Sequence, residues 1–314
     1  MRILRYVFKL GLCALVSVLF SSCACVCGAK KAGPPDPSLI ARDHFDRDVW
    51  KLDGRELEVG VTNTEGPPVL LMHPITGLTD KVLLVGQQLS ATDPGYRVYV
   101  PRFFGKWGGD GSGFGGFVHT GFSCDWKVFA KNRLGPIEQR VGALCDQIYE
   151  ERGQQVVVIG TCLTANMAIA MLDRPSVRAA VACQPALPMV RCSTAQKRAL
   201  AIDNSRLGEI KLAVSEDPGK QLLAFRYVCD DISPQARMTR LHDLLGEEHF
   251  TCFMLARGDD KVKIPDYAEH IPASKSDGHS TLVDQHIRCL HECQTVYQKV
   301  VAFLDQHADD AKKN

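Results

Sequence analysis

Short runs of β-branched and other apolar residues alternate along this chain with stretches whose apolar positions recur every three or four residues. The first kind reads as buried strand and the second as amphipathic helix. Leu57–Val61, Val69–Met72, Arg97–Val100, Val156–Ile159, Val177–Cys183, Leu222–Val228 and Phe250–Leu255 are the expected strands. Val82–Leu89, Gly135–Arg152, Ala165–Leu172, Pro234–Leu245 and Ile287–His307 are the expected helices. The alternation predicts an α/β fold, with a mostly parallel central sheet covered by helices on both faces. No internal repeat and no second domain interrupts it. Two segments break the rhythm: Phe103–Ser123, rich in glycine and aromatic residues, and the polar, Pro-containing Arg257–Asp277. Loops of that length in a compact domain tend to be lids or entrance walls.

The N-terminus has a different pattern. Arg2, Arg5 and Lys9 precede an apolar stretch from Leu10 to Phe20, followed by Ser21, Ser22 and Cys23. This is the layout of an export signal, and it is shorter than the ~20 apolar residues of a membrane span. LFSSC resembles a bacterial lipobox, with Cys23 as the residue to be lipidated and Phe20 where Leu is usual. A plain signal peptide or an uncleaved anchor is the alternative. Residues 1–22 are therefore expected to be a leader, 23–40 a flexible tether containing the Pro-rich GAKKAGPPDP, and 41–310 one α/β domain. The expected location is exported and membrane-anchored, in the periplasm or cell envelope.

Composition narrows the function classes. The 314 residues carry a formal net charge of +1, with 45% hydrophobic and 23% charged residues, as in ordinary globular proteins. No basic run or acidic tail points to nucleic acid. Of thirteen cysteines, Cys13, Cys23, Cys25 and Cys27 lie in the leader region. The domain holds the others, an odd number, so at least one thiol is outside any disulfide. Cys183, Cys229 and Cys252 fall in apolar strand-like runs, where a thiol behaves as a small hydrophobe.

The most informative stretch is Gln154–Asp173, QQVVVIGTCLTANMAIAMLD. A β-branched run stops at Gly160, Cys162 follows two positions later, and a helical run follows that. Strand, sharp turn, reactive side chain and helix N-terminus make a nucleophile elbow, here with Cys in place of Ser. The N-terminus of the following helix favours an anionic thiolate. The strained turn calls for small neighbours, which Gly160 supplies and Thr164 supplies less well. A buried structural cysteine after a strand is the equal rival on local sequence alone.

A thiol nucleophile needs a base and an orienting acid, in the order nucleophile, acid, His. His279, in the loop DGHS before the last helix, stands where the base belongs. His242, His286, His291 and His307 lie in or beside helical patterns and read as solvated surface groups. Asp230 stands just past the strand LLAFRYV, four residues before Pro234, and suits the acid. Asp231 is its adjacent rival; Asp259 and Asp260 are a weaker pair. The oxyanion donors would be the N–H of Leu163 and that of Ile75, in the loop HPITG after the Val69–Met72 strand, since Pro74 has no N–H. His73 reads as structural.

The blocks LLMHPITGL, VYVPRFFG, GTCLTANMAIAM, AAVACQPALP, FRYVCDDISPQAR and GHSTL, in that order, resemble the dienelactone hydrolase family from about Pro67 to Leu304. The resemblance implies an α/β-hydrolase fold with a Cys-His-Asp triad: Cys162 nucleophile, Asp230 acid, His279 base, Ile75 and Leu163 oxyanion donors. The chain departs from the family at three places. Pro74 replaces the Glu that helps activate the resting thiol. Ala165-Asn166 replaces the usual Gly-Gly. No Arg appears shortly after His279 to grip a substrate carboxylate, for which Lys106 and Arg102 are loose substitutes. The family's named substrate therefore does not carry over.

The expected function is a thiol hydrolase acting on a small ester, lactone or thioester, with no cofactor and no metal. Its partners would be that small-molecule substrate and, through the lipid anchor, a membrane. The alternative is a catalytically silent α/β-hydrolase fold used as a surface-tethered binding module. A redox reading is weaker: the domain has no C-x-x-C, and the Cys289/Cys293 spacing belongs to a helix face. The glycines of KWGGDGSGFGG open no helix, so they are no dinucleotide fingerprint.

Overall fold

The computed structural model describes residues 42–109, 135–187, 193–257, 264–273 and 290–310, together with Gly115, His119, Trp126 and Leu282. The expected leader, the Cys23 lipidation position and the expected base His279 lie outside the described residues. The chain separates into two units, Met1–Asp36 and Pro37–Asn314, and every described residue belongs to the second. Among the described residues no helix is long and apolar enough to cross a membrane.

Among the described residues nine strands form one sheet, in the order β1-β2-β4-β3-β5-β6-β7-β8-β9. They are β1 (Phe45–Leu52), β2 (Arg55–Thr62), β3 (Pro68–Met72), β4 (Arg97–Arg102), β5 (Val156–Thr161), β6 (Val177–Cys183), β7 (Gln221–Tyr227), β8 (Phe250–Ala256) and β9 (Ala268–Pro272). β1 and β2 pair antiparallel, as do β2 and β4; from β4 through β3 to β9 every pairing is parallel. The helices are α1 (Asp80–Ser90), α2 (Pro136–Arg152), α3 (Leu163–Ala170), α4 (Thr194–Lys197), α5 (Asn204–Glu216), α6 (Gln235–Leu245) and α7 (Leu290–Asp310).

Strand periodicity divides the core in two. Val69 and Leu71 of β3, Val157 and Ile159 of β5, and Leu223 and Phe225 of β7 point to one face, where α1 and α7 cover them with Val82, Leu83, Val296 and Val300. Leu70 and Met72, Val156 and Val158, and Leu222 and Ala224 point to the other, beneath α2, α3, α5 and α6. Helices thus cover both faces, as the alternation predicts. Both faces being buried, the central strands read as continuous apolar runs. Each fully buried Val or Leu contributes about 1.5–3 kcal/mol of transfer free energy.

The structure differs from the sequence reading at several places. The expected helix Ala165–Leu172 begins earlier, at Leu163, and ends in a 3-10 turn, Met171–Asp173. The polar stretch Arg257–Asp277 contains the edge strand β9, whose residues alternate little because only Ile271 is fully buried. Cys229 is exposed and lies past the end of β7, so it is not part of a strand. His307 is buried and packs edge-on against Phe303, with ring centroids 4.4 Å apart, so it is not a solvated surface group.

Candidate active site

β5 ends at Thr161 and α3 starts at Leu163, leaving Cys162 alone at the junction with φ 58 and ψ −117. A non-glycine residue there costs on the order of 1–3 kcal/mol and persists only where its surroundings over-determine it. They do. The Cys162 N–H donates to Cys183 O at 2.9 Å, while its carbonyl accepts the N–H groups of Ala165 at 3.2 Å and Ala186 at 3.0 Å. The Cys162 side chain is buried against the α2/α3 face of the core.

The flanking residues that look crowded in the sequence hold the turn in place. Thr164 Oγ1 accepts the Thr161 N–H at 3.0 Å and lies 2.9 Å from Thr161 O and 3.2 Å from His73 O, carbonyls to which it can donate. It therefore ties the elbow to the loop after β3. Asn166, fully buried, donates from Nδ2 to Ala186 O at 2.8 Å and to Leu163 O at 3.3 Å. Asn166 is thus a strut to the segment after β6.

The expected oxyanion loop follows β3. Gly77 N–H donates to Pro74 O at 3.0 Å and closes a turn in which Ile75 is the second residue. The Ile75 N–H takes no part in that closing bond, and the Ile75 side chain packs against the same core cluster as Cys162 and Leu163. Leu163 opens α3, so its N–H is one of the first-turn donors without an intrahelical partner.

His73 is structural, as its position suggests. It packs among aromatic rings, edge-on to Phe104 at 4.8 Å and tilted against Phe103 at 5.2 Å by centroid, and Phe103 and Phe104 in turn meet Trp126. Burial pushes its imidazole down to about 4 from an ordinary 6.5. Its Nδ1–H donates to Pro74 O at 2.9 Å and its Nε2 accepts the Phe103 N–H at 3.2 Å, so a second proton would face a donor. The unfolded chain takes up that proton between about pH 6.5 and pH 4 and the folded chain does not. Stability from this group is therefore full above the upper limit and lost towards the lower one, by about 3 kcal/mol in all. His73→Phe should lack this part of the acid loss, read as urea midpoints at about pH 7 and about pH 4. An undiminished fall in that variant would assign the acid sensitivity elsewhere.

Asp230 and Asp231 are separated by the structure. Asp230 is 4% exposed, and its Oδ1 accepts the N–H groups of Ile232 at 2.9 Å and Ser233 at 3.0 Å. Asp231 is exposed. The turn carrying Asp230 is gripped by Arg226, a buried residue of β7, whose Nε donates to Ser233 O at 2.8 Å and whose Nη2 donates to Val228 O at 3.1 Å and Asp230 O at 3.2 Å. A second buried guanidinium, Arg237 of α6, donates from Nε to Ala199 O at 2.6 Å and from Nη1 to Pro185 O at 2.5 Å. Sequence reading misses both arginines. The only signal is a charged residue inside an apolar strand, and another in the first turn of an amphipathic helix.

Arg102, a loose substitute for a substrate-gripping arginine, forms an ion pair with Glu58 and donates to Gly105 O at 2.8 Å. Lys106 is exposed. Cys145, Cys162, Cys183, Cys229 and Cys252 are in no disulfide. Among the described residues no group of three His, Cys, Asp or Glu could hold a metal. A groove of about 470 Å³ lined by Gln235, His242, Glu247, Pro265, Asp266 and Tyr267 lies along α6, and neither Cys162 nor Asp230 lines it.

Comparison with known proteins bears on the family and the fold. Residues 57–206 match the dienelactone hydrolase family, a family of carboxylic ester and lactone hydrolases. A Klebsiella pneumoniae protein described as a dienelactone hydrolase superposes with a TM-score of 0.55 at 13% identity, covering 83% of this chain and 98% of its own. An esterase from Pyrococcus furiosus gives 0.51 at 12% identity, covering 88% and 96%. An esterase domain from Rhodothermus marinus gives 0.50 at 12%, covering 84% and 99%. At these identities the likeness concerns the fold, which is that of the α/β hydrolases. No curated protein sequence matches the chain.

Proposed function

From the membership of residues 57–206 in the dienelactone hydrolase family, we propose that this protein cleaves a small ester, lactone or thioester through an acyl-enzyme on Cys162. The observation that carries the proposal is the backbone of Cys162, a strained φ of 58 at a strand–helix junction held by three hydrogen bonds. Strain held so firmly at one side chain is a feature of functional sites.

The chemistry follows from the residues. His279 takes the thiol proton, and the Cys162 sulfur adds to the substrate carbonyl. The N–H groups of Ile75 and Leu163 receive the oxyanion, each contributing about 2.7–4 kcal/mol to the barrier reduction. Collapse expels the alcohol, which leaves with the proton from His279. A water, deprotonated by His279, attacks the thioester; the carboxylic acid departs and the thiol is restored. Asp230 orients the His279 ring and balances its charge. Residues 1–22 as an export leader and Cys23 as the lipidated residue belong to the same reading, which puts the enzyme at a membrane surface.

Pro74, standing where the family has its activating Glu, supports a second reading: a silent fold used as a surface-tethered binding module. Thiol labelling separates the two. An active Cys162 reacts with iodoacetamide at about pH 6 much faster than an ordinary thiol of pKa about 8.5. A p-nitrophenyl ester should protect it and be turned over. Labelling of Cys162 no faster than that of the exposed Cys229, without turnover, would favour the silent module.

A further inference from the structure

Arg237 is fully buried, within electrostatic reach of the proposed nucleophile and the proposed acid. It holds three loops together. Nε binds Ala199 O, Nη1 binds Pro185 O, and Nη1 also lies 3.3 Å from Ile232 O in the Asp230 turn. Pro185 precedes Ala186, whose N–H donates to the Cys162 carbonyl. The Arg237 side chain is therefore two short links from the strained elbow and one from the acid's turn.

Its third nitrogen, Nη2, is buried and has no hydrogen-bond partner. That is costly for a charged group, because a buried cation needs both donors satisfied and a counter-charge. Neutralising itself is no way out: burial pushes the guanidinium down only to about 10, so it remains charged at neutral pH. Asp230 favours the charged form of Arg237 most, an ionised Cys162 would favour it next, and Arg226 opposes it. Arg226 is buried too and draws on the same Asp230. Asp230 is thus the carboxylate that favours both cations. Ionised, Cys162 would supply the missing negative charge.

We propose that Arg237 is the buried counter-charge of the Cys162 thiolate, and the positioning residue that fixes the elbow's supporting loop against the acid's turn. This rests on the reading of Cys162 as the nucleophile. It also says what replaces the activating carboxylate that Pro74 removes. A carboxylate would activate the thiol by accepting its proton. A cation activates it by stabilising the anion after the proton has gone to His279, and it favours the same anion as the leaving group when the acyl-enzyme breaks down. Its advantage is largest in a dry interior, where a single nearby charge is poorly screened.

The test is the rate of iodoacetamide alkylation at Cys162, located by peptide mass spectrometry, at about pH 6, with Cys229 of the same chain as the internal reference. Arg237→Gln should slow Cys162 alkylation by about tenfold or more, and Arg237→Lys, which keeps the charge, should stay within about threefold of the wild type. A strut without an electrostatic role would leave the rate in folded Arg237→Gln unchanged, and that result overturns the proposal. If Arg237→Gln does not fold, Arg237→Lys decides: it keeps the charge without the guanidinium's fork of hydrogen bonds, so a fall of about tenfold in Cys162 alkylation in that variant would overturn the proposal. Wild-type Cys162 reacting no faster than Cys229 would instead reject the nucleophile reading itself.

Discussion

Cys162→Ala is expected to reduce turnover of a p-nitrophenyl ester by at least about a thousandfold, to the level left by binding and oxyanion contacts. The fold should survive. Cys162 contributes one small side chain to the core, and the bonds that hold its turn run from its backbone N–H and carbonyl to Cys183, Ala165 and Ala186. Alanine keeps every one of them. The cost it does carry is modest: loss of one buried sulfur and the same positive φ borne by a residue with a Cβ. A cooperative thermal transition within a few degrees of the wild type, with turnover gone, is the expected pair of results. Activity and stability lost together would mean that Cys162 is structural.

Gly160→Ala should have the opposite character and damage both. A Cβ at Gly160 would sit 2.3 Å from Thr164 O and 2.6 Å from Ala165 Cα. Both are backbone atoms of the first turn of α3, and no side-chain rotation moves them aside. The turn must lift off β5. Overpacking of this kind costs about 1–3 kcal/mol where side chains can yield, so the upper end or beyond is expected here. The same movement carries the Leu163 N–H away from its place, so turnover falls as well. Gly208 is the control. It lies in α5, and a Cβ added to it would meet nothing within 4 Å. Gly208→Ala should stabilise by about 0.5–1 kcal/mol through helix propensity and a less flexible unfolded chain. Chemical denaturation of the two variants beside the wild type checks the contrast; equal effects would mean that Gly160 is not under steric constraint.

The parts of the fold that are legible in the sequence are those buried on both sides. β3, β5, β6, β7 and β8 are apolar runs because helices cover both faces of the sheet, and β6 is legible at its full extent, Val177–Cys183. The edges are not legible. β1, FDRDVWKL, exposes most of its side chains, and among the described residues β9 pairs on one side only, with β8. A strand with one neighbour and a wet face has no hydrophobic pattern to betray it. α5 escapes for another reason: its start is set by Asp203, whose Oδ1 caps the Arg206 N–H at 2.9 Å, and its apolar positions Leu207, Ile210 and Val214 are sparse.

The site divides in the same way. The elbow is legible because a glycine, a nucleophile and a helical run must follow one another closely in sequence for the turn to form at all. The separate roles of Asp230 and Asp231 are not, since adjacent carboxylates look alike until one is buried under two N–H groups and the other is exposed. Arg226 and Arg237 are invisible for a related reason. Their partners are backbone carbonyls of loops, several of them far away in the chain, and a carbonyl leaves no mark on the residue type that presents it.

The most direct measurement of the central claim is the site of a trapped acyl group. The protein is mixed with an excess of activated ester, quenched in acid within the first turnovers, and its peptides are read by mass spectrometry. The account predicts one acyl group, on the peptide containing Cys162, appearing in a burst and lost on incubation in buffer. An acyl group on a serine or on another cysteine with Cys162 unmodified, or steady turnover that never acylates the chain, would contradict it.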